Sequence, residues 1–559
     1  MSLMSGLFVG STGLRTSQNA LNTTAHNLSN IETQGYVRQQ TLLADIEYST
    51  IGHAAVSDKQ IGIGVEYDQV RQVRDYFLDQ SYRKEAGRSA FYEIDYETIS
   101  EIETLLGEFD GVAFQESLGN LWTSIQELQK DPSSSVTEGA FVNTAAQFIE
   151  RAQAVYNGLT AYQDNLNSRI YDYVNRINDL GKTISDLNEA IKKEELGPQK
   201  ANDLRDQRNY ALDELSKLVN ISYSYNADDD VEVMVEGVVF VTRDRSFEMK
   251  AMLNEDSGLY TPVWPINRNA EVFQRNQEID TNHDTDIGQL KAIYLARGDR
   301  RANYTDMNSD TYNNGEYTYF DPVTSTTVTQ NLIPTSASVV MNIQAELDQM
   351  VHSILTEVNN IITGEKNLID SGTNPSYSSA DELPLELFVR LGTPRYKESG
   401  GVYTYVPEDA QPSHADIDNL YTITNIKINP DIVKMPSLMA NGFMTEDRKV
   451  DSTKADAMAD AFTNTFSSLN PNLMQEYNYQ DYYAAMVGQV ATTGSVYSSI
   501  VSAQQIAAQR LYDSRDSIIG VSSNEELTNM IKYQNAYNAS SRFINACNDM
   551  LEDLLSKLS

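Results

Sequence analysis

Leucines recur at every seventh position at the start of the chain, Leu7, Leu14, Leu21 and Leu28, and Met4 and Ala25 stand three residues from members of the row. A spacing of 3.5 residues is that of helices packed on helices, so residues 1–31 read as one helix that gives way at "AHNLSNIETQGYVRQ" (25–39). The end of the chain mirrors the start. Leu527, Ile531, Tyr537, Ile544, Leu551, Leu555 and Leu558 fall near the same spacing. Two such terminal helices can pair, which sets the chain ends side by side and makes everything between them a protrusion.

Inside this frame, Ile170, Ile177, Ile184 and Ile191 form a second heptad, with Tyr173, Leu180 and Leu187 between them, up to Gly197-Pro198. Leu204, Leu212, Leu215 and Leu218 make a returning apolar face, so the pattern predicts an antiparallel helical hairpin. Residues 88–106, 112–130 and 137–165 are also helical by pattern. From Ile221 the period changes. "VEVMVEGVVFV" (231–241) is β-branched around a Gly turn and predicts a β-hairpin. Residues 287–298 and 338–362 return to helix, the latter with Met341, Leu347, Met350, Ile354, Val358 and Ile361 along one side. Short strands such as "YTITNIKI" (421–428) are expected between 364 and 455, and helix again from about 452 and from 480 to the end.

Proline supports this map because it breaks helices. Only Pro132 and Pro198 precede Pro262, and none follows Pro471. The expected fold is mainly α with β-rich insertions, an α+β multidomain chain. The terminal paired-helix domain takes 1–45 plus 510–559. A long helical bundle takes 46–220 plus 285–363 plus 456–509. A β-rich insertion takes 221–284, and an outer β-rich domain 364–455.

Charge narrows the function. A formal net charge of −37 on 559 residues argues against nucleic acid or an anionic membrane as partner, since both select clustered Lys and Arg. Yet only Arg15 precedes Glu32. A helix so neutral is expected to pack on more than one side. The N-terminal stretch has neither the basic segment nor the apolar run of a cleaved signal peptide, and no segment approaches a membrane span. The single cysteine, Cys547, excludes an intramolecular disulfide and reads as a small core residue.

Candidate chemistry is thin. His26, His53, His283, His352 and His414 share no ligand spacing. "DTNHDTD" (280–286) starts like a calcium loop, but Thr285 replaces its glycine and Lys291 its closing glutamate. "GIGVEY" (62–67) lacks the third glycine of a dinucleotide fingerprint. "SYRK" (81–84) and acidic pairs such as Asp381-Glu382 are expected by chance. No catalytic, cofactor-binding or metal site is predicted.

"NLSNIETQGYVR" (27–38) resembles the N-terminal signature of the flagellar axial family, the rod, hook and hook-associated proteins, at Asn27, Leu28, Ser29, Asn30, Gly35 and Tyr36. His26 stands where another Asn is common. "IGIGVEYDQVRQVRDYFLDQSYR" (61–83) is similar to the segment that follows that signature. "ANDLRDQRNYALDELSKLV" (201–219) resembles the Asp-Gln-Arg helix of hook-associated members, and "GVSSNEELTNMIKYQNAYNASSRFINACNDMLEDLL" (520–555) the family's C-terminal helix. Residues 221–455 show no matching motif. Chain length and the Asp-Gln-Arg hairpin favour a member at the hook–filament junction.

The resemblance implies a structural subunit, not an enzyme, whose terminal helices pair and line an inner tube while the inserted domains face outward. It implies export by the flagellar type III apparatus, with an export chaperone and no cleaved signal, and an extracellular place at the distal hook end. The implied partners are copies of itself in a ring or short helical zone, the hook protein, and the third hook-associated protein on the filament side. Leu7, Leu14, Leu21, Leu28, Leu527, Ile531, Ile544, Leu551 and Leu555 would carry subunit assembly, with both ends ordering on docking. Asn27, Asn30, Gly35 and Tyr36 would form a hinge, in which the amides satisfy free backbone groups and tolerate left-handed geometry, Gly35 makes the turn and Tyr36 anchors the outgoing chain. The alternatives are a hook or other axial subunit and, from another class, an enzyme carried on the outer β-rich insertion.

Overall fold

A computed structural model describes residues 3–558 except 47, 54–57, 108–113, 198, 227–228, 276, 308–315, 322–325, 332–337, 409–416, 444–451 and 470–474. The expected helix start at 112, Pro198 and His414 therefore lie outside the described residues. The chain is mainly helical, with small antiparallel sheets inserted between the helices.

Helix α1 (Leu3–Ser29) leads into a ribbon in which strand β1 (Gln39–Asp45) pairs with β4 (Val65–Gln72), and β2 (Ser49–His53) with β3 (Asp58–Ile61). The ribbon folds back along α1. Helix α2 (Tyr76–Leu106) begins twelve residues before the pattern places it, because Asp75 caps it by accepting from the Phe77 and Leu78 amides. An Asp side chain at this position satisfies amides that a first turn otherwise leaves free. Gly87 lies inside α2, where the absence of a side chain lets the helix meet the backbone of Ser216.

Helix α3 (Phe114–Lys130) stops at Asp131-Pro132, and Ser134 then caps α4 (Ser135–Glu194). The segment read as 137–165 and the heptad from Ile170 to Ile191 lie on one helix of 60 residues. Ile170, Ile177, Ile184 and Ile191 are all buried along it. Helix α5 (Asn202–Leu218) returns antiparallel beside α4 and completes the expected hairpin.

The β-hairpin at 231–241 forms as strands Val231–Val235 and Val238–Val241, joined through Glu236 at φ 48° and Gly237 at φ 76°. Two left-handed residues give a turn whose twist matches that of the strands. Helices α6 (Gln289–Arg297) and α7 (Val339–Thr363) follow, and the apolar side expected of α7 is buried from Met341 to Ile361. Beyond α7 come the short helices α8 (Lys366–Asp370) and α9 (Pro430–Lys434), with strand Phe388–Arg390 paired to Ile426–Ile428.

The strand expected over 421–428 is therefore shorter. Ile423–Asn425 is a 3₁₀ turn, in which the Asn425 backbone amide donates to the Thr422 carbonyl and its side-chain amide to three carbonyls, Ile417, Asp418 and Leu420, at 2.8–3.0 Å. Asp348 of α7 also takes the Ile423 amide, at 2.7 Å. The ladder with the strand Phe388–Arg390 begins at its end, where the Asn425 carbonyl accepts from the Leu391 amide at 2.9 Å.

Helix α10 (Ser452–Thr463) packs on α3 and α7, and α11 (Tyr479–Ile519) runs from the core out along α2. The helix expected from 480 to the end breaks at Gly520, and α12 (Ser523–Leu558) pairs with α1.

Pairing of the ends is antiparallel, but it is not made by the leucines. A Cβ placed on Gly6, Gly10 or Gly13 would lie 3.2 Å from Cys547 Sγ, 2.6 Å from Ile544 Cγ1 or 2.8 Å from Ser540 Oγ, respectively. Gly6, Gly10, Ala20 and Thr24 are buried. Leu7, Leu14, Leu21 and Leu28 sit to the side, half-buried, and Met4 and Ala25 are exposed. Glycines let helix axes approach more closely than leucines allow, so the small residues take the seam and the heptad is displaced from it.

Candidate functional site: the signature loop and a buried ionic hub

The end of α1 is tied by side-chain amides. Asn27 is buried; its Nδ2 donates to the Gln39 carbonyl at 2.9 Å, and its Oδ1 accepts from the Gln39 amide at 3.0 Å and the Tyr36 hydroxyl at 2.8 Å. One side chain thus pairs with β1 as a strand would. Because Tyr36 donates to Asn27, His26 Nδ1, at 3.0 Å from the same hydroxyl, must be the donor to it, which fixes the His26 tautomer. Asn30 donates to the His26 carbonyl from both its backbone and its side chain, and accepts from Thr33 Oγ1.

The amides satisfy backbone as expected, but neither Asn27 nor Asn30 is left-handed. That conformation falls to Gly35, at φ 81°, where a Cβ would come 3.1 Å from Tyr210. Tyr36 anchors the outgoing chain, and burial, together with Asp203, Asp206 and Glu526, raises its pKa.

The next residues fasten the loop to the body. The Val37 amide donates to Asp206 Oδ2 of α5 at 3.1 Å. The Arg38 amide takes the carbonyl of Ile519 at 2.8 Å, at the C-terminal end of α11, and its guanidinium pairs with Glu525 and Glu526 at 2.8 and 2.9 Å, in the first turn of α12. Arg38 therefore occupies the break between α11 and α12. Gln72, leaving β4, donates to Asp206 Oδ1 at 2.6 Å.

Directly inside lies a cluster of three arginines and three aspartates. Arg74 pairs with Asp79 at 2.8 Å and approaches Asp206 at 4.0 Å. Arg515 of α11 bridges Asp79 of α2 at 2.9 Å and Asp213 of α5 at 2.7 Å. Arg83 of α2 pairs with Asp213 at 2.6 Å and donates to the Asn209 carbonyl and side chain. Arg83 and Arg515 also lie over the rings of Tyr223 and Tyr82.

Burial opposes ionisation of Asp213, yet Arg83 and Arg515 outweigh it and hold its carboxyl below the usual range. Asp206 lacks so close a cation. Burial pushes it up to about 7, against the pull of the Val37 amide and Arg74. The hub thus clamps α2, α5 and α11 together, while Asp206 holds the signature loop to it.

Sequence reasoning named Asn27, Asn30, Gly35 and Tyr36, which this site brings together. It missed Asp79, Arg83, Asp213 and Arg515. A signal was available: Asp79 and Arg83 are spaced i, i+4 on a stripe that continues through the buried Ala86 and Ala90, so the charges fall on a core face. Of the assembly residues, Leu527, Ile531 and Leu555 are exposed, while Ile544 and Leu551 are half-buried. Cys547 is buried against Gly6. The acidic loop at 280–286 serves another purpose than a calcium loop would, since Asp284 and Asp286 pair with Arg88, and Lys84 with Asp284.

Terminal helices paired in antiparallel fashion, a helical body built between them and a hydrogen-bonded joint at the meeting point define a structural subunit. The model for the "Flagellar hook-associated protein FlgK helical domain" matches residues 99–370, and that for the "Flagellar basal body rod FlgEFG protein C-terminal" matches 517–557. Flagellar hook-associated protein 1 of Bacillus subtilis is 24% identical over 99% of this chain and 97% of its own length. That of Salmonella typhimurium is 24% identical over 97% of this chain and 98% of its own. A solved flagellar hook junction protein FlgK from Burkholderia pseudomallei covers 79% of this chain and 100% of that chain, at 12% identity and a TM-score of 0.48. The chain is similar to flagellar hook-associated protein 1 along nearly its whole length and is a structural component of the bacterial flagellum.

Proposed function

We propose that the chain is the adaptor between hook and filament, a non-enzymatic subunit that docks on the distal hook end and offers the surface on which the filament grows. It leaves the cell through the flagellar type III apparatus, escorted by an export chaperone. Outside, its copies form a ring or short helical zone, with the hook protein on one side and the third hook-associated protein on the other. The observation that carries this reading is the seam of the terminal helices. Because glycines make the contact within the chain, Leu7, Leu14, Leu21 and Leu28 on α1 and Leu527, Ile531 and Leu555 on α12 remain for neighbouring copies. Such apolar side chains on a pair with few other contacts gain most of their burial only on docking.

Length-limited polymerisation tests it. Purified chain added to isolated hooks should form a short cap and stop. Long polymers grown from the chain alone would mark it as a hook-like subunit instead.

A further inference from the structure

Helix α7 carries a polar stripe through an apolar interior. Asn342, Glu346, Gln349 and Ser353 follow one another at intervals of four, three and four residues, which sets them on one face of the helix. That face meets the first turns of α11. The Tyr482 hydroxyl donates to Gln349 Oε1 at 3.0 Å, Gln349 Nε2 donates to Ser467 Oγ at 2.9 Å, and the Tyr479 hydroxyl shares a hydrogen bond of 3.0 Å with Ser353 Oγ. These groups are neutral and answered. Glu346 is the exception: it is fully buried, its Oε1 accepts from Asn342 Nδ2 at 2.7 Å, and its Oε2 has no partner among the described residues.

Among the described residues no cation acts on this carboxyl, and burial pushes it up to about 8 against the pull of the Asn342 amide. The titratable group that faces it from α11 is Tyr482, whose own pKa is raised by burial and by Glu346. Asp348, two residues on, turns instead to the Tyr304 and Ile423 amides.

We propose that Glu346 makes the seating of α11 on α7 a pH-sensitive latch, closed while its carboxyl carries a proton and loosened once the proton leaves. A carboxylate formed there is a buried charge without a counter-ion, far more costly than the protonated acid. Parting α11 from α7 lets water reach it. Released, Glu346 titrates near the ordinary value of about 4.3, whereas in place it titrates at about 8. Its contribution to the contact is therefore fully present below the first value and lost as pH rises through the second, and between the two, opening gains up to about tenfold per pH unit. Because α11 runs on to Arg515 and to the Ile519 carbonyl at the joint, this seating fixes the core end of the helix on which the joint is mounted. The latch belongs to the isolated chain and does not depend on what the chain docks on.

Hydrogen exchange of the full chain, read by mass spectrometry over residues 479–490 at pH 6 and pH 8.5 and corrected for the intrinsic rate at each pH, reports the opening. Glu346→Gln keeps the shape and cannot ionise. Glu346→Leu, with no polar atom to leave unpaired, is the second variant should the amide disturb folding. Asp95, Asp206, Glu236 and Asp348 also have raised pKa values, so the ratio of wild-type to variant opening is the readout. That ratio is expected to rise at least tenfold from pH 6 to pH 8.5 over residues 479–490. A ratio that is the same at both pH values overturns the proposal, and so does a rise spread evenly over the helical body with no excess at the start of α11.

Discussion

Replacing Asp213 with alanine is expected to lower the stability of the helical body by about 3–5 kcal/mol, the cost of removing one partner from a buried ion pair. Asp213 receives two arginines at once, Arg83 at 2.6 Å and Arg515 at 2.7 Å, from two helices. Arg515 would keep Asp79, but Arg83, 2% exposed, would keep the neutral groups of Asn209 and the Tyr223 ring and no paired carboxylate. A buried guanidinium without a carboxylate is the costly species, and the loss exceeds that of a contact of similar area. Urea unfolding followed by circular dichroism measures it. The pH dependence carries the same sign: Asp213 has a depressed pKa, so its contribution is present above the unfolded value near 4 and lost as pH falls through the folded one. The Asp213→Ala variant should therefore lose part of the acid limb of the wild-type stability profile.

Gly10→Val is expected to part the terminal helices. A Cβ there already lies 2.6 Å from Ile544 Cγ1 and 3.2 Å from Phe543 Cδ1, and valine adds two methyl groups beyond it. Overpacking costs about 1–3 kcal/mol in a well-packed core, and this pair is otherwise held mainly by the β1–β4 ribbon and the Arg38 contacts. Cys547, the only cysteine of the chain, reports the separation directly because its thiol is buried against Gly6. Thiol labelling of Gly10→Val should be about tenfold faster than wild type, the equivalent of roughly 1.4 kcal/mol. Adding Ile544→Ala, which vacates the space the valine needs, should restore protection. Unchanged labelling would mean that the glycine seam does not set the distance between the helices.

Much of this architecture is legible in the sequence because helices and hairpins announce themselves by period. The isoleucine heptad from Ile170 to Ile191, the apolar side of α7 and the Glu236-Gly237 turn are local patterns with local causes. The paired ends were legible too, since apolar spacing near 3.5 residues appears at both. Which residues meet was not. Periodicity ranks positions by hydrophobicity, whereas the seam is ranked by closeness of approach, so Gly6, Gly10 and Gly13 displaced the leucines. The start of α2 was hidden for a related reason: its first turns carry Asp79 and Arg83, which look like surface residues until α5 and α11 supply their counter-charges. No local pattern encodes a partner 130 or 302 residues away. The 3₁₀ turn at Ile423–Asn425 was likewise decided by a distant acceptor, Asp348 on α7.

Among the signature residues, chemistry was more legible than conformation. Short amides beside a Gly-Tyr pair pointed to backbone satisfaction, and Asn27 provides it; the left-handed residue is Gly35.

The role at the hook–filament junction is tested most directly by imaging flagella on cells from which the gene has been deleted. Hooks of normal length with bare ends, and flagellin shed unassembled into the medium, are expected. Intact filaments on those cells, or the loss of the hooks themselves, would contradict it.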